Sequence, residues 1–211
     1  MSTKVLICDD HAIVRKGLCD LIDDTPDLEI RKEVSRGKDA IRAIREEEFD
    51  VVVLDISMPD QNGLDVLKQI KNLLPDLPVL MLSIHPEEMY AIRSLRAGAS
   101  GYLTKRSDLG DLVTAVRKVA RGERYITPQL AEQLASSFGM TDKPPHENLS
   151  DREYEVMLSI ARGESLNEIS GKLNLSASTV STYRSRVLKK MGLEKNADII
   201  HYAIQNELIE T

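Results

Sequence analysis

The chain has 211 residues, a formal net charge of −6 and a hydrophobic fraction of 42%. This composition excludes a collagen, a low-complexity chain and a tail of one charge sign. At roughly 100–200 residues per domain, the length holds one large domain or two small ones, each with its own core.

Cysteine usage and hydropathy predict the compartment. Cys8 and Cys19 lie inside apolar segments and lack the spacing of a metal site or a disulfide framework, so we expect reduced core thiols in a cytosolic protein. The first residues reach an acidic pair after a short apolar run, and no run approaches the roughly 18 apolar residues of a membrane span. We predict a cytoplasmic protein with no membrane partner.

Short apolar runs alternate with amphipathic stretches of helical length through the first half of the chain. The predicted strands are Val5–Cys8, Leu28–Val34, Val51–Leu54, Val79–Leu82 and Gly101–Leu103. The predicted helices are Val14–Asp23, Lys38–Glu47, Gly63–Leu74, Glu87–Ala97 and Leu109–Arg121. This alternation predicts an α/β fold with a doubly wound, five-stranded parallel sheet, in which ligands bind at the carboxyl ends of the strands.

The pattern changes after Gly122. A short helix at Pro128–Ser137 leads into Phe138–Asn148, whose polar, double-proline composition is typical of a linker. Only helices are predicted beyond it, at Asp151–Ala161, Leu166–Leu173, Ser178–Met191 and Asn196–Asn206, with caps at Ser150, Ser165, Ala177-Ser178 and Lys195-Asn196. We therefore predict a first domain over 1–122, a short helix and linker over 123–148, and a second, all-α domain over 149–211.

Three carboxylates follow the predicted ends of the first and third strands, which are neighbours in this topology. Asp9 and Asp10 follow one strand, and Asp55 follows the other. Each alone could cap a helix, but together they repel one another unless a proton or a divalent cation is present. Mg²⁺ prefers oxygen ligands and leaves positions for phosphate oxygens, so we predict a Mg²⁺ site here.

Two further residues stand at the ends of predicted strands. Ser83 ends the fourth strand and Lys105 follows the fifth. Singly, each is more typical of a surface or a cap. Facing three acids, however, an ammonium and a hydroxyl complete a phosphoryl-accepting site in which a carboxylate is the nucleophile.

The first half of the chain, to about residue 122, resembles the receiver domain of two-component response regulators. The motifs that carry the resemblance are Asp9-Asp10, Asp55 followed by Met58-Pro59 and Gly63, Ser83, and Gly101-Tyr102-Leu103-Thr104-Lys105. The resemblance implies that Asp55 accepts a phosphoryl group from a cognate sensor histidine kinase.

The same resemblance assigns roles around Asp55. It implies a Mg²⁺ ion held by Asp10, Asp55 and the carbonyl of Ser57, with Asp9 acting through water. It also implies that Lys105 contacts the phosphoryl group, and that Ser83 turns toward it and draws Tyr102 inward.

A cationic helix is predicted in the second half. Ala177–Lys195 contains five basic residues and one acidic residue, although neither half of the chain is basic as a whole. At about 100° per residue, Val180, Val187 and Met191 share one side, and short donors followed by long cations lie opposite. The predicted DNA contacts are Ser178, Thr179, Ser181, Thr182, Ser185, Arg186, Lys189 and Lys190. The alternative is a solvated cationic face.

The chain from residue 149 to about 208 resembles the LuxR-type helix-turn-helix DNA-binding domain. The resemblance is carried by Leu149-Ser150-Asp151-Arg152-Glu153 and by the stretches 162–170 and 173–180. With the receiver, the whole chain is similar to response regulators of the NarL/FixJ family, and most similar to the GacA/UvrY branch. The resemblance implies a transcription regulator that binds promoter DNA, and not an enzyme.

One recognition helix makes few base contacts, so we expect a homodimer on DNA. Ile199, Ile200 and Ala203 offer a pairing face, unless this face closes the domain core. RNA polymerase is a further candidate partner. The rival hypotheses are a Mg²⁺-dependent phosphohydrolase, whose second acid is here replaced by Ser57, and an interaction module that works without phosphorylation.

Overall fold

The computed structural model describes residues 2–84, 87–137, 144–206 and 208–209. The chain divides into two compact units, Met1–Ser137 and Phe138–Thr211. Among the described helices, none has the length and apolar character that a membrane crossing requires.

The first unit is a five-stranded parallel sheet surrounded by helices, which confirms the predicted α/β fold. The strands are β1 (Thr3–Cys8), β2 (Leu28–Val34), β3 (Val51–Asp55), β4 (Val79–Ser83) and β5 (Gly101–Thr104), in the order β2-β1-β3-β4-β5. The helices are α1 (Ala12–Asp23), α2 (Gly37–Glu46), α3 (Gly63–Leu73), α4 (Glu87–Arg96), α5 (Leu109–Ala120) and α6 (Pro128–Ser137).

The central strands are apolar because both of their faces are covered. Every residue of β3 and β4 is buried, as expected for parallel strands packed on two sides. One core cluster joins Val5 and Ile7 of β1 to Leu18 of α1 and Leu112 of α5. Each large aliphatic side chain buried in this way stabilises the fold by about 1.5–3 kcal/mol. This packing fixes the strand ends, where the polar residues lie.

The strand register brings those polar ends to one edge of the sheet. The last register pairs are Cys8 with Leu54, Asp55 with Leu82, and Ser83 with Thr104. The residues that follow β1, β3, β4 and β5 therefore meet at the carboxyl edge, as the parallel topology predicts.

The segment after α5 returns to the edge of the sheet. The backbone N–H of Tyr125 donates to the carbonyl of Ser100 over 2.9 Å, and Tyr125 forms a parallel bridge with Gly101 of β5. A side chain on Gly101, the first residue of β5, would collide with Tyr125. This position therefore accepts only glycine without rearrangement.

Helix α6 packs on α4 of the same unit. The hydroxyl of Thr127, just before α6, donates to Glu87 Oε2 at the start of α4, and Leu130 of α6 is fully buried. Residues 138–143 of the predicted linker lie outside the described residues. The predicted domain boundaries at 122 and 149 stay predictions.

The second unit is built from helices. It comprises a 3-10 helix at Pro145–Asn148 and the α-helices α7 (Asp151–Ala161), α8 (Leu166–Leu173), α9 (Ala177–Met191) and α10 (Asn196–Gln205). Helix α7 packs against α8, α9 and α10. The core of this unit includes Met157 of α7, Ile169 of α8 and Val187 of α9, all fully buried.

Two helices of this unit begin with the predicted serine caps. Ser150 and Ser165 form capping boxes with Glu153 and Glu168, respectively. In each box the serine Oγ accepts the glutamate N–H, and the glutamate carboxylate accepts the serine N–H over 2.8 and 2.7 Å. The sequence pattern therefore predicted these helix starts correctly.

Helix α9 begins one residue before its predicted start. Its cap is Ser176 and not the predicted pair Ala177-Ser178, because Ser176 Oγ accepts the backbone N–H of Thr179 over 3.1 Å. Gly192 ends the helix in the left-handed conformation, with φ 67°, which a residue without a Cβ adopts at little cost.

The predicted pairing face on α10 lies mostly inside the domain. Ile199 and Ala203 are fully buried, and α10 packs on α7, so for these two residues the alternative of closing the core holds. Ile200 is partly buried, and Ile204, outside the predicted face, is 45% exposed.

We expect Ile199→Ala to lower the free energy of unfolding by about 2–4 kcal/mol, because it leaves a cavity against α7. Ile204→Ala is the matched control and should change it by less than about 0.5 kcal/mol. Urea unfolding of the full chain, followed by far-ultraviolet circular dichroism, measures both. Equal losses for the two variants would contradict the assignment of Ile199 to the core.

Candidate functional site

Three carboxylates meet at the carboxyl edge of the sheet, as predicted. Asp9 and Asp55 are each 1% exposed, and Asp10 is partly buried. Burial removes the water that would solvate these charges, so the protein must supply positive charge or hydrogen-bond donors instead.

Lys105 supplies that positive charge. Its Nζ lies 2.7 Å from Asp9 Oδ2 and 2.7 Å from Asp55 Oδ2, and its side chain is only 7% exposed. The backbone N–H of Lys105 donates to the carbonyl of Ser83 over 2.6 Å, which holds β4 and the end of β5 together at this point. One ammonium group is therefore shared by two buried carboxylates.

The pKa of Asp55 reflects these opposing influences. Burial raises the pKa, Lys105 lowers it, and the neighbouring charge of Asp9 raises it again, with a result of about 6. The backbone N–H of Ser57 donates to Asp55 Oδ1 over 3.2 Å and favours the charged form. The charged form of Asp55 is thus stabilised by specific contacts with Lys105 and with the N–H of Ser57.

His11 also faces the acidic pocket, and sequence reasoning missed it. Its Nδ1 lies 2.7 Å from Asp10 Oδ1, 3.6 Å from Asp9 Oδ1 and 3.9 Å from Asp55 Oδ2. Its backbone N–H donates to Asp9 Oδ1 over 2.8 Å. The only signal in the sequence was its place directly after the acidic pair.

The pocket fits a divalent cation. Among the described residues, the buried oxygens Asp9 Oδ2 and Asp10 Oδ1 accept no hydrogen bond, although Lys105 Nζ and His11 Nδ1, respectively, lie 2.7 Å from them. One donor atom from each of the three aspartates and from His11 lies within 4.8 Å of the others. Closely spaced oxygens with unused lone pairs suit a hard cation, so this cluster can hold a metal ion.

Arg15 supports the pocket from α1. Its Nη1 donates to the backbone carbonyl of Asp9 over 2.7 Å, and its Nε donates to Glu33 over 3.1 Å. The guanidinium therefore ties the end of β1 to β2 and restrains the backbone of Asp9. This residue, too, was outside the predicted site.

Helix α3 begins directly against the backbone of Asp55. The N–H of Gly63 donates to the carbonyl of Ile56 over 2.8 Å, and a Cβ at Gly63 would overlap the carbonyl oxygen of Asp55. Asn62 caps the helix by accepting the N–H of Leu64 over 2.7 Å. Gly63 is therefore the residue that lets α3 and the end of β3 approach each other.

Ser83 and Tyr102 lie on neighbouring strands, and both are fully buried. Ser83 stands at the carboxyl edge, as predicted, and its carbonyl accepts the N–H of Lys105. The ring of Tyr102 lies inside the domain in this structure, and its predicted inward movement on phosphorylation stays a prediction.

Helix α9 has the predicted two faces. Val180, Val187 and Met191 are buried, together with Leu188, while Tyr183 is half-buried. The predicted contact residues that are exposed are Ser178, Ser181, Thr182, Ser185, Arg186, Lys189 and Lys190; Thr179 is intermediate. The face is therefore accessible along most of the helix.

Several hydroxyls on this face already have partners. Ser176 Oγ lies 2.8 Å from Ser178 Oγ and 2.7 Å from Thr179 Oγ1 at the helix start. Thr182 and Ser185 donate to the carbonyls four residues earlier, each over 3.0 Å. Each hydroxyl oxygen retains lone pairs toward solvent, so these groups can still accept hydrogen bonds.

Two basic side chains of α9 make contacts within the second unit. Lys190 Nζ donates to Glu153 Oε2 over 2.6 Å, and that carboxylate side chain is only 4% exposed. Arg184, for which the sequence suggested no role, donates from Nε to Asn196 Oδ1 over 2.6 Å and so joins α9 to α10. Lys190, one of the predicted DNA contacts, thus forms an ion pair inside the domain.

Glu153 is the buried partner in that pair. Burial alone would raise its pKa, but the hydrogen bonds from Lys190 and Ser150 outweigh it and hold the pKa below the usual range. The pair therefore stabilises the fold above the pKa of an unfolded glutamate, and the contribution is lost as the pH falls through the folded pKa.

Two family models match the chain. Residues 5–117 match the response regulator receiver domain, and residues 147–203 match the bacterial regulatory proteins of the luxR family. The first match contains the whole acidic pocket with Lys105, and the second contains α7 to α9 and most of α10.

Several response regulators are similar to this chain over nearly its whole length. The chain is 37% identical to the response regulator UvrY of Escherichia coli K12 over 206 residues, covering 97% of this chain and 94% of UvrY. It is 35% identical to the response regulator GacA of Pseudomonas aeruginosa over 209 residues, covering 98% of each protein. A structure of RcsB from Salmonella typhimurium, solved to describe conformational dynamism for DNA interaction, has a TM-score of 0.59 at 25% identity, covering 97% of this chain and 98% of RcsB.

We expect Gly63→Ala to lower the free energy of unfolding of the first unit by about 1–3 kcal/mol, because the new methyl group pushes α3 away from Asp55. Gly171→Ala, in α8, is the matched control, since a Cβ there meets nothing within 4 Å. The control should be neutral or slightly stabilising. Thermal unfolding of both variants measures the difference, and equal effects would contradict the tight approach at Asp55.

We expect Lys190→Met to destabilise the second unit by about 1–2 kcal/mol at neutral pH, because it leaves Glu153 buried with fewer donors. The loss should shrink as the pH falls below the usual glutamate range, since protonated Glu153 needs no cation. Lys189→Met, one residue earlier and exposed, should change the free energy of unfolding by less than about 0.5 kcal/mol. Urea titrations at neutral and acidic pH test this, and a loss independent of pH would contradict the ion pair.

Proposed function

The chain belongs to the response regulators that join a receiver domain to a LuxR-type DNA-binding domain, and we propose that phosphorylation of Asp55 switches its binding to promoter DNA. As such it is a DNA-binding regulator of transcription and not an enzyme. Family membership, and not a missing residue, decides against the phosphohydrolase hypothesis.

The contact of Lys105 with Asp9 and Asp55, 2.7 Å to each, carries this proposal. It puts an ammonium group beside a buried carboxylate at the edge of the sheet, where a ligand can enter. A phosphoryl group attached to Asp55 would bring two negative charges to this point. Lys105 would then turn from the carboxylates to a phosphoryl oxygen.

The proposed transfer needs one nucleophile and one leaving group. Asp55 attacks the phosphorus of a phosphohistidine on the sensor kinase, an O–P bond forms, and the P–N bond breaks with the electron pair going to the imidazole. The proton that neutralises the imidazole comes from solvent. Ser83 would offer its hydroxyl to a second phosphoryl oxygen, and Tyr102 is the buried ring whose rotamers the change would bias.

The acidic pocket would hold Mg²⁺ for this reaction. The residues proposed to hold it are Asp10, Asp55 and the carbonyl of Ser57, with Asp9 acting through water. When bound, the ion supplies positive charge that neutralises the phosphoryl oxygens. The oxygen-rich donor set supports Mg²⁺ over softer ions.

The energy available to such a switch is sufficient. Moving a two-state receiver from mostly inactive to mostly active needs about 5.5 kcal/mol of differential interaction. Charge-assisted hydrogen bonds of a phosphoryl group to Lys105 and Ser83, together with the cation, act in a buried site where each is stronger than in water. These contacts exist only in the phosphorylated form, as a switch requires.

Helix α9 is the proposed recognition helix. Ser178, Thr179, Ser181, Thr182 and Ser185 lie toward its start, where bases or phosphates are in reach, and Arg186 and Lys189 follow as phosphate contacts. We leave Lys190 out of this set because Glu153 holds its charge. The exposure of this face supports the proposal.

The remaining partners follow from the same proposal. A cognate sensor histidine kinase would phosphorylate Asp55, and a homodimer would read two half-sites on promoter DNA. The outward residues Ile200 and Ile204 of α10 are the proposed pairing surface, in place of the buried Ile199 and Ala203. Contact with RNA polymerase and action in the cytoplasm, where the chromosome lies, complete the proposal.

The direct test treats the full chain with acetyl phosphate and Mg²⁺ and measures binding to a set of promoter fragments by fluorescence anisotropy. We expect phosphorylation to tighten binding about 5- to 150-fold, the usual range of allosteric coupling. Mass spectrometry should locate the adduct on Asp55. Asp55→Asn should bind equally with and without the donor.

Lys189→Met separates the DNA contact from the switch. It should still be phosphorylated, bind more weakly, and reduce the slope of log K against log salt by about 1. Equal binding by the phosphorylated protein, the untreated protein and Asp55→Asn would overturn the switch. The absence of an adduct on Asp55 with any small phosphodonor would overturn the whole proposal.

A further inference from the structure

The imidazole of His11 faces the same pocket as the three aspartates. Its Nδ1 is 2.7 Å from Asp10 Oδ1, 3.6 Å from Asp9 Oδ1 and 3.9 Å from Asp55 Oδ2. Donors on one octahedral ion with bonds of about 2.1 Å are about 3 Å apart when adjacent and about 4 Å apart when opposite. The His11 nitrogen therefore lies at distances that ligands of a single ion adopt.

Among the residues that the structure describes, the His11 imidazole has polar partners only within the pocket. His11 is the N-cap residue of α1, but its side chain makes no capping hydrogen bond. Its backbone is held by the bond from its N–H to Asp9 Oδ1, so the ring starts from a fixed point beside the pocket. The side chain is 52% exposed, which leaves it free to turn toward an incoming ion.

We propose that His11 is a nitrogen ligand of the pocket's cation, which suits this receiver to divalent transition-metal ions as well as to Mg²⁺. The inference rests on the proposed function, because it concerns the cation of the phosphorylation site. Mg²⁺ takes oxygen ligands almost exclusively, whereas divalent ions of the first transition row bind imidazole together with carboxylate, Mn²⁺ the most weakly of them. A mixed oxygen and nitrogen donor set gains affinity only for ions of the second kind.

A different role for His11 gives a different result. If His11 only donated a hydrogen bond to Asp10, it would orient that carboxylate for every ion alike, as an outer-shell partner does. Removing it would then weaken Mg²⁺ and Mn²⁺ binding by the same factor. A ligand role weakens Mn²⁺ binding more than Mg²⁺ binding, so the ratio of the two affinities separates the roles.

The test uses Mn²⁺ as the probe on the full chain. Electron paramagnetic resonance of free Mn²⁺ measures its affinity, and competition measures that of Mg²⁺. Electron spin-echo envelope modulation at substoichiometric Mn²⁺ detects a directly bound nitrogen. We expect a nitrogen coupling in the unaltered protein and in the control His201→Gln, whose histidine is exposed on α10. His11→Gln should lose the coupling and bind Mn²⁺ roughly tenfold more weakly or worse, because losing a ligand costs at least as much as losing an outer-shell partner, with less than about a threefold change for Mg²⁺.

The outcomes distinguish this inference from the proposed function. No Mn²⁺ binding, Mn²⁺ bound without nitrogen coupling, or equal losses for both ions in His11→Gln would overturn the ligand role of His11. The spin-echo result on the unaltered protein stands even if a variant fails to fold. Phosphorylation of Asp55 with Mg²⁺ is measured on the same preparation. If Asp55 is not phosphorylated but the nitrogen coupling is present, the proposed function is overturned and the ligand role of His11 still holds.

Discussion

Two buried carboxylates share one ammonium group at the edge of the sheet, and the rest of the receiver unit is arranged around that contact. Asp9 and Asp55 repel each other, and Lys105 Nζ, 2.7 Å from each, offsets part of the repulsion. The balance is incomplete, which is why burial still raises the pKa of Asp55. Further positive charge, such as a bound cation, would stabilise the two carboxylates. Added negative charge, such as a phosphoryl group, would change the contacts that Lys105 makes. Both properties suit a switch.

The position of this site was predictable because parallel topology leaves little freedom. Once β1, β3, β4 and β5 are recognised as buried strands, their carboxyl ends must meet at one edge, and Asp9, Asp55, Ser83 and Lys105 must follow. The two faces of α9 were predictable for a similar reason, because a helix of fifteen residues has a strict period. In both cases a regular backbone decides where the side chains lie.

Contacts between distant residues were not predictable in this way. The ion pair of Lys190 with Glu153 joins residues 37 positions apart, and only the packing of α9 on α7 shows that one exposed cation is structural. Whether Ile199 lies on a pairing face or in the core stayed open, because a single helix cannot show which side its own domain covers. His11 depends on the rotamer of a side chain at a helix start, a position that no periodicity governs.

Helix α6 belongs to the first compact unit, beyond the end predicted for the first domain. Tyr125 pairs with the edge of β5, Thr127 bonds to Glu87, and Leu130 has no exposed surface. Truncation of the chain after α5 would expose both the side of α4 that α6 covers and the edge of β5. A fragment that includes α6 keeps these surfaces covered, and one that ends at α5 would invite self-association through an uncovered strand.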